Sequence, residues 1–372
     1  MQTKQYPFFL KSTVILFGLV LLTYTLINMK QILAPLAFAL IISILLNPLV
    51  NRFNRMGLSR ILSIIFSLLI AITVISAIFY FLSSQIAGFS DSFPVLKQKM
   101  NSLNGQLHNW LQQRFGMSMD KQSQLVDEAM NNGKALLGKT VGGALGMLGV
   151  ILLMPVYIFM LLFYKTLILN FLFEVFAEEN SDKVSSILGQ TKAAIQSYMV
   201  GLLLEALVVA ILNSTALLIL GVDYAILLGV LGALLNMLPY IGGLVAIALP
   251  VLIATVTKDG FSTQIGILIA YAIIQFLDNN ILVPRLVSSK VQINALFSII
   301  VVLLGGALWG VAGMFLSIPT VAILKIIFDR IDDLKPWGKL LGDTVPTRHK
   351  GQIWTRRSKK PSVAEKIVGE PK

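Results

Sequence analysis

Hydrophobic positions in this chain come in long blocks, not as the one-sided stripe of a surface helix or the alternation of a half-buried strand. Apolar runs cover residues 12–28, 32–50, 61–86, 144–172, 198–220 and 262–282. Crossing ~30 Å of hydrocarbon takes about 20 mostly apolar residues, so these blocks predict full membrane spans. Two further apolar regions are interrupted. Residues 225–257 are cut at Pro239-Tyr240-Ile241-Gly242-Gly243, which leaves two halves of 14 residues, too short to cross upright. Residues 291–328 are cut at Gly305-Gly306-Ala307-Leu308-Trp309-Gly310. The predicted fold is all-α: a polytopic membrane helix bundle of about six full spans plus two interrupted segments.

The polar stretches divide the rest. Residues 87–143 form an extramembrane insertion in which Leu96, Met100, Leu103, Leu107, Trp110 and Leu111 recur at helical spacing. That pattern predicts an amphipathic helix lying on the bilayer or on its neighbours. Residues 174–197 read as a short amphipathic segment, with Val184, Ile187, Leu188 and Ile195 on its apolar side. The organisation expected is a membrane domain over 1–328 and a basic tail over 329–372. The tail carries 11 Lys and Arg against 6 Asp and Glu, which suits anionic lipid headgroups better than nucleic acid.

Composition agrees with the blocks. Hydrophobic residues make up 56% of the chain and charged residues 13%, about half the usual share for a soluble domain. With no cysteine, disulfides and thiolate chemistry are excluded. The two histidines, His108 and His349, fall outside the apolar runs, so a histidine-built metal site within the membrane is not expected. No phosphate-binding G-x-x-x-x-G-K-[ST] loop and no H-E-x-x-H motif is present. The chain therefore reads as neither ATP-driven nor enzymatic, and no cofactor is implied.

Basic residues beside short loops mark the cytoplasmic side. Arg52, Arg55 and Arg60 place the second loop inside, and with it the N-terminus. Lys4 and Lys11 precede a first run with no cleavage pattern after it, which reads as a retained span. Arg285, Lys290 and the basic tail also argue for the inside. All of these hold together if 225–257 enters and leaves on the outer face and 291–328 on the inner face. Tyr240 to Pro250 and Trp309 to Pro319 share one spacing, an aromatic followed ten residues later by proline. Two readings stand at this point: a pair of hairpins entering from opposite faces, or two kinked helices with glycine at close contacts.

Charge inside a membrane is costly and marks function by default. Glu205 lies well inside the run 198–220. Asp278 ends the run 262–282 beside Asn279 and Asn280, with Arg285 nearby. Either carboxyl could bind a proton or a cation. Equally, Asp278 could pair with Arg285, and Glu205 could be a hydrogen-bonded packing group. Asn236, Gln275, Asn279 and Asn280 could bind a polar solute or cap helix ends.

The set Asn236-Met237-Leu238-Pro239-Tyr240-Ile241-Gly242-Gly243 with Pro250 resembles the signature of the autoinducer-2 exporter (AI-2E) family. Asp278-Asn279 with Pro284, Gly305-Gly306, Trp309-Gly310, Gly313 and Ile318-Pro319 fit the same family, and the resemblance covers roughly 10–330. It implies a bacterial cytoplasmic-membrane permease, and the basic residues noted above place both termini inside. Members are linked to export of the signalling furanone AI-2, and some relatives are described as sodium or lithium/proton antiporters. The expectation is a secondary carrier of a small polar solute, coupled to H+ or Na+ and assembled as a homo-oligomer. Its site is expected between Tyr240–Gly243 and Gly305–Gly310, with Asp278, Asn279, Asn280 and Glu205 as ligands. The rivals are a cation/proton antiporter and a non-transporting membrane scaffold or sensor.

Overall fold

The computed structural model describes residues 7–115, 153–176, 181–238, 242–258, 260–287 and 293–343. Pro239, Tyr240, Lys290, the glycines 142, 143 and 146, and the tail from 344 lie outside the described residues. Among the described residues every regular element is helical. In order these are α1 (Phe8–Asn28), α2 (Lys30–Arg55), α3 (Arg60–Phe115), α4 (Leu153–Phe163), α5 (Lys165–Phe176), α6 (Ser181–Ile219), α7 (Ala225–Asn236), α8 (Gly242–Thr257), α9 (Ser262–Leu277), α10 (Ala295–Trp309), α11 (Val311–Arg330) and α12 (Lys335–Leu341). A π-helical extension, Asp278–Val287, continues α9.

Among the described residues, five helical stretches are long and apolar enough to cross a membrane: Lys30–Arg55, Arg60–Gln85, Ser181–Ile219, Ser262–Val287 and Val311–Arg330. The α4–α5 pair, bent by 59° at Tyr164, brings the total to six if it is counted as one broken span. The total matches the sequence pattern, but the membership differs. The apolar part of α1, Ser12–Asn28, is shorter, and α11 is long enough to cross although it belongs to an interrupted region. Large apolar side chains point outwards, among them Val14, Phe17, Leu69, Phe79, Leu207 and Ile269. An apolar exterior on this scale suits lipid rather than water.

Two polar stretches turn out to be continuations of spans. Residues 181–197 are the first half of α6, with Ile195 buried and Val184, Ile187 and Leu188 half-buried as the pattern required. The insertion after residue 86 starts as an unbroken extension of α3 to Phe115. Helix periodicity persists through the change from apolar to polar composition, so hydropathy alone placed a boundary where the backbone has none. The part of the insertion from 116 lies outside the described residues.

Both interrupted regions are hairpins, not kinked spans. In the first, α8 packs back on α7, with Ala225, Leu228, Ala246, Ile253 and Ala254 in one core cluster. A Cβ at Gly242 would strike the Leu235 carbonyl, so the chain can turn this tightly only without a side chain there. In the second, Gly310 makes the turn at φ 64°, a left-handed value that favours glycine. The arms α10 and α11 then touch backbone to backbone at Gly305 and Gly313. Pro250 and Pro319, the ends of the shared spacing, each sit fully buried in the returning arm.

The two hairpins enter from opposite ends of α6. Gly229 and Gly232 of α7 pack on Ser214 and Asn213, so the first hairpin descends from the C-terminal end of α6. Its base is tied by Lys258 Nζ to Asp223 Oδ1 at 3.7 Å. In the second hairpin, Leu316 of α11 packs with Ile195, Tyr198 and Leu202, while Asp332 lies near Lys183 at the α6 N-terminus. Asn294 closes that base: its Oδ1 accepts from Phe297 N at 3.0 Å, and its Nδ2 donates to Leu340 O at 2.8 Å.

Candidate functional site

The middle of α6 is where the hairpins converge. A Cβ at Gly201 would strike the Leu286 carbonyl, so glycine there lets the π-helical segment press directly on α6. Tyr198, Leu202 and Glu205 follow at helical spacing on one face and line a cavity of about 760 Å³. The opposite wall is the end of α9 and its extension, with Gln275, Asp278 and Asn279. The first hairpin adds Asn236, Met237 and Gly243 from its tip, and the second adds Ser298 and Ile318 from its arms. The volume falls within the usual range for small-molecule sites, ~300–1,000 Å³.

Asp278 is the polar centre. It is buried, and its Oδ2 accepts from Asn236 Nδ2 at 2.9 Å and from Gln275 Nε2 at 3.5 Å. Gln275 Nε2 also reaches Asn279 Oδ1 at 3.3 Å. The hairpin tip permits this gathering of amides: a Cβ at Gly243 would lie 2.8 Å from Gln275 Oε1 and 3.5 Å from Asn236 Oδ1. The π-helical segment carries Pro284, which has no N–H to donate to the helical ladder. Such wide turns cluster at functional positions. Glu205 is buried across the cavity, within electrostatic reach of Asp278. Among the described residues, no Lys, Arg or His lines the space. Two carboxyls and three amides in an apolar wall make an electronegative cavity suited to a proton, a cation or a hydroxyl-rich solute.

Of the residues singled out from sequence, Glu205, Asn236, Gly243, Gln275, Asp278 and Asn279 come together at the cavity. Several others do not. Asn280 is exposed and donates back to Phe276 O at 2.8 Å. Arg285 is exposed, and among the described residues it forms no ion pair with Asp278. Gly305, Gly306, Trp309 and Gly310 build the second hairpin and its turn instead of the cavity wall. Trp309 Nε1 donates to Leu26 O at 2.8 Å, which fixes this hairpin to the end of α1. Gly242, Pro250 and Pro319 serve packing, as described above. Tyr198 and Ser298 reach the cavity and were missed, as were Asn213 and Tyr271 just behind it. Ser298 and Tyr271 are lone polar residues in apolar runs, while Tyr198 and Asn213 sit in the short polar clusters Gln196-Ser197-Tyr198 and Asn213-Ser214-Thr215, and only helical phase with Glu205 or Asp278 could have singled them out.

This arrangement, broken hairpins around a buried carboxyl site in a helical bundle, defines a multi-pass membrane transporter. The model of the AI-2E family transporters matches residues 13–333, and the chain belongs to that family. Among relatives, the AI-2 transport protein TqsA of Escherichia coli K12 is 27% identical over 90% of this chain and 96% of its own length. "Putative transport protein YrrI" of Bacillus subtilis is 25% identical over 80% of this chain and 86% of its own length. "Putative transport protein MT0215" of Mycobacterium tuberculosis is 28% identical, over 84% and 86% respectively.

Proposed function

We propose that this protein is a secondary carrier of the bacterial cytoplasmic membrane that exports a small polar solute of the AI-2 type. The observation that carries the reading is the cavity where the hairpins meet. It holds buried Glu205 and Asp278 together with the amides of Asn236, Gln275 and Asn279. Amides and carboxylates supply acceptors and donors for a solute rich in hydroxyls, while the apolar wall strengthens each polar contact. Asp278 is the coupling carboxyl, and the Asn236 bond ties its state to the first hairpin. The name of TqsA supports the choice of solute.

The test is release from proteoliposomes loaded with AI-2, with and without a pH gradient, for wild type and Asp278→Asn. Gradient-driven release that drops at least ~10-fold in the variant supports the reading. Equal release by both proteins would remove Asp278 from the mechanism. A second reading, exchange of Na+ or Li+ for H+, is favoured by two carboxyls in a cavity that no basic side chain lines among the described residues. It predicts sodium-dependent proton flux from empty liposomes.

A further inference from the structure

The 59° bend between α4 and α5 makes a notch at the end of the bundle that carries Arg52 and Arg55. Arg60, at the start of α3, reaches across it. Its Nη2 donates to Leu162 O at 3.0 Å and its Nη1 to Thr166 Oγ1 at 3.3 Å. Lys165, the first residue of α5, turns towards α2, where its Nζ donates to Asn47 Oδ1 at 2.9 Å. The rod α6 is drawn to the same place, since Gln196 Nε2 donates to Ile44 O at 2.7 Å and Lys192 lies one turn before Gln196. Helices α2, α3, α5 and α6 thus gather Arg60, Lys165 and Lys192, and none of these three lines the solute cavity.

The charge here is open. Lys192 and Arg60 both lie within electrostatic reach of the half-buried Lys165 ammonium, and no carboxylate among the described residues balances it. None of the three forms an ion pair among the described residues. Like charges brought together repel, and burying one of them adds a desolvation cost. A second observation points the same way. Asn47 is 5% exposed, and its Nδ2, on the same carboxamide that holds Lys165, has no partner among the described residues. Buried donors are nearly always partnered. A water would satisfy the amide and leave the charge unbalanced; an anion does both.

The setting selects the anion. Past the bend, Tyr164, Leu167 and Phe171 recur at helical spacing on the outward face of α5 and are 46%, 63% and 59% exposed. A free anion has no use for that apolar strip, whereas acyl chains would lie along it. Basic pockets between membrane helices hold lipid headgroups, and a guanidinium matches phosphate oxygens in pairs. We propose that Arg60, Lys165, Lys192 and Asn47 Nδ2 form a site for the phosphate of an anionic phospholipid, seated in the bend between α4 and α5. Arg60 and Lys165 both keep N–H donors beyond those already used. A zwitterionic headgroup is disfavoured, because its own ammonium would meet three bases. The site stands whatever solute the carrier moves.

Binding is tested apart from transport. Full-length protein, delipidated in a neutral detergent, is unfolded thermally with phosphatidylglycerol, phosphatidylcholine or inorganic phosphate at equal ionic strength. A concentration-dependent rise in Tm with phosphatidylglycerol, absent with the other two, is expected for wild type. Lys192→Gln changes an exposed position on α6, so it should fold, and it should raise the half-saturating phosphatidylglycerol content about fivefold. Adding Lys165→Gln should abolish the rise, and Lys192→Gln alone carries the test if the double variant fails to fold. Arg356→Gln with Arg357→Gln removes equal charge from the basic tail and should leave the rise intact. Equal Tm in the two lipids for wild type would overturn the proposal, as would an undiminished response in Lys192→Gln. A rise lost equally in the tail variant would reduce the effect to net charge and refute the site. An equal or larger rise with inorganic phosphate would assign the notch to a free phosphate and refute the lipid.

Discussion

The two hairpins share a plan and divide the labour. Each has a helix, a tight glycine-assisted turn, and a returning helix with a buried proline, and they approach from opposite ends of α6. The first brings amides to its tip, where Asn236 binds Asp278 and Gly243 leaves room for Gln275. The second uses its glycines for contact between its own arms, and its turn is anchored by Trp309 to α1. An inverted pair can therefore be symmetrical in backbone and asymmetrical in chemistry. Glycine beside the turn means ligand space at Gly243 of the first hairpin and backbone packing at Gly305 and Gly313 of the second.

Paired alanine substitutions separate these roles most sharply. At Gly313 the new Cβ meets the Gly305 carbonyl, which cannot move alone, so Gly313→Ala should cost about 3 kcal/mol or more. A collapse in monodisperse yield and Tm would show it. At Gly243 the Cβ meets only the end of the Gln275 side chain. That variant should fold, with solute release reduced several-fold in liposomes; normal release from Gly243→Ala would erase the distinction. Next, Asn236→Ala removes a donor from a buried carboxylate, at a cost of about 1–3 kcal/mol. Transport should fall further than the loss of folded protein explains, measured per folded molecule. Trp309→Phe removes one hydrogen bond to Leu26 O, worth about 1 kcal/mol. Its Tm should drop slightly while half-saturation for solute stays the same. Smallest of all, Asp332→Asn breaks an exposed ion pair with Lys335 at the base of the second hairpin and should leave Tm unchanged within error.

Much of this plan was legible in the sequence, for identifiable reasons. Hydropathy marks helices because lipid is the solvent, and turn residues mark breaks because they disrupt the ladder, so both hairpins could be located. Charge parity suggested opposite entry, and the packing of α7 and α11 on α6 has the same sense. Buried charge is rare enough that Glu205 and Asp278 stood out. Helix continuity was hidden, because composition changes along α3 and α6 while the backbone does not. The facing of single polar groups was hidden too. Asn279 and Asn280 are neighbours in sequence, yet one lines the cavity and the other bonds back to Phe276, because successive residues on a helix point in different directions.

The length of α6 has a mechanical consequence. Its 39 residues make a rod of about 58 Å, gripped near its midpoint where Gly201 meets Leu286. A balance beam on such a fulcrum moves its ends in opposite senses, and a 10° tilt carries each end about 5 Å. Since one hairpin is rooted at each end, a single rotation would loosen one entrance as it tightened the other.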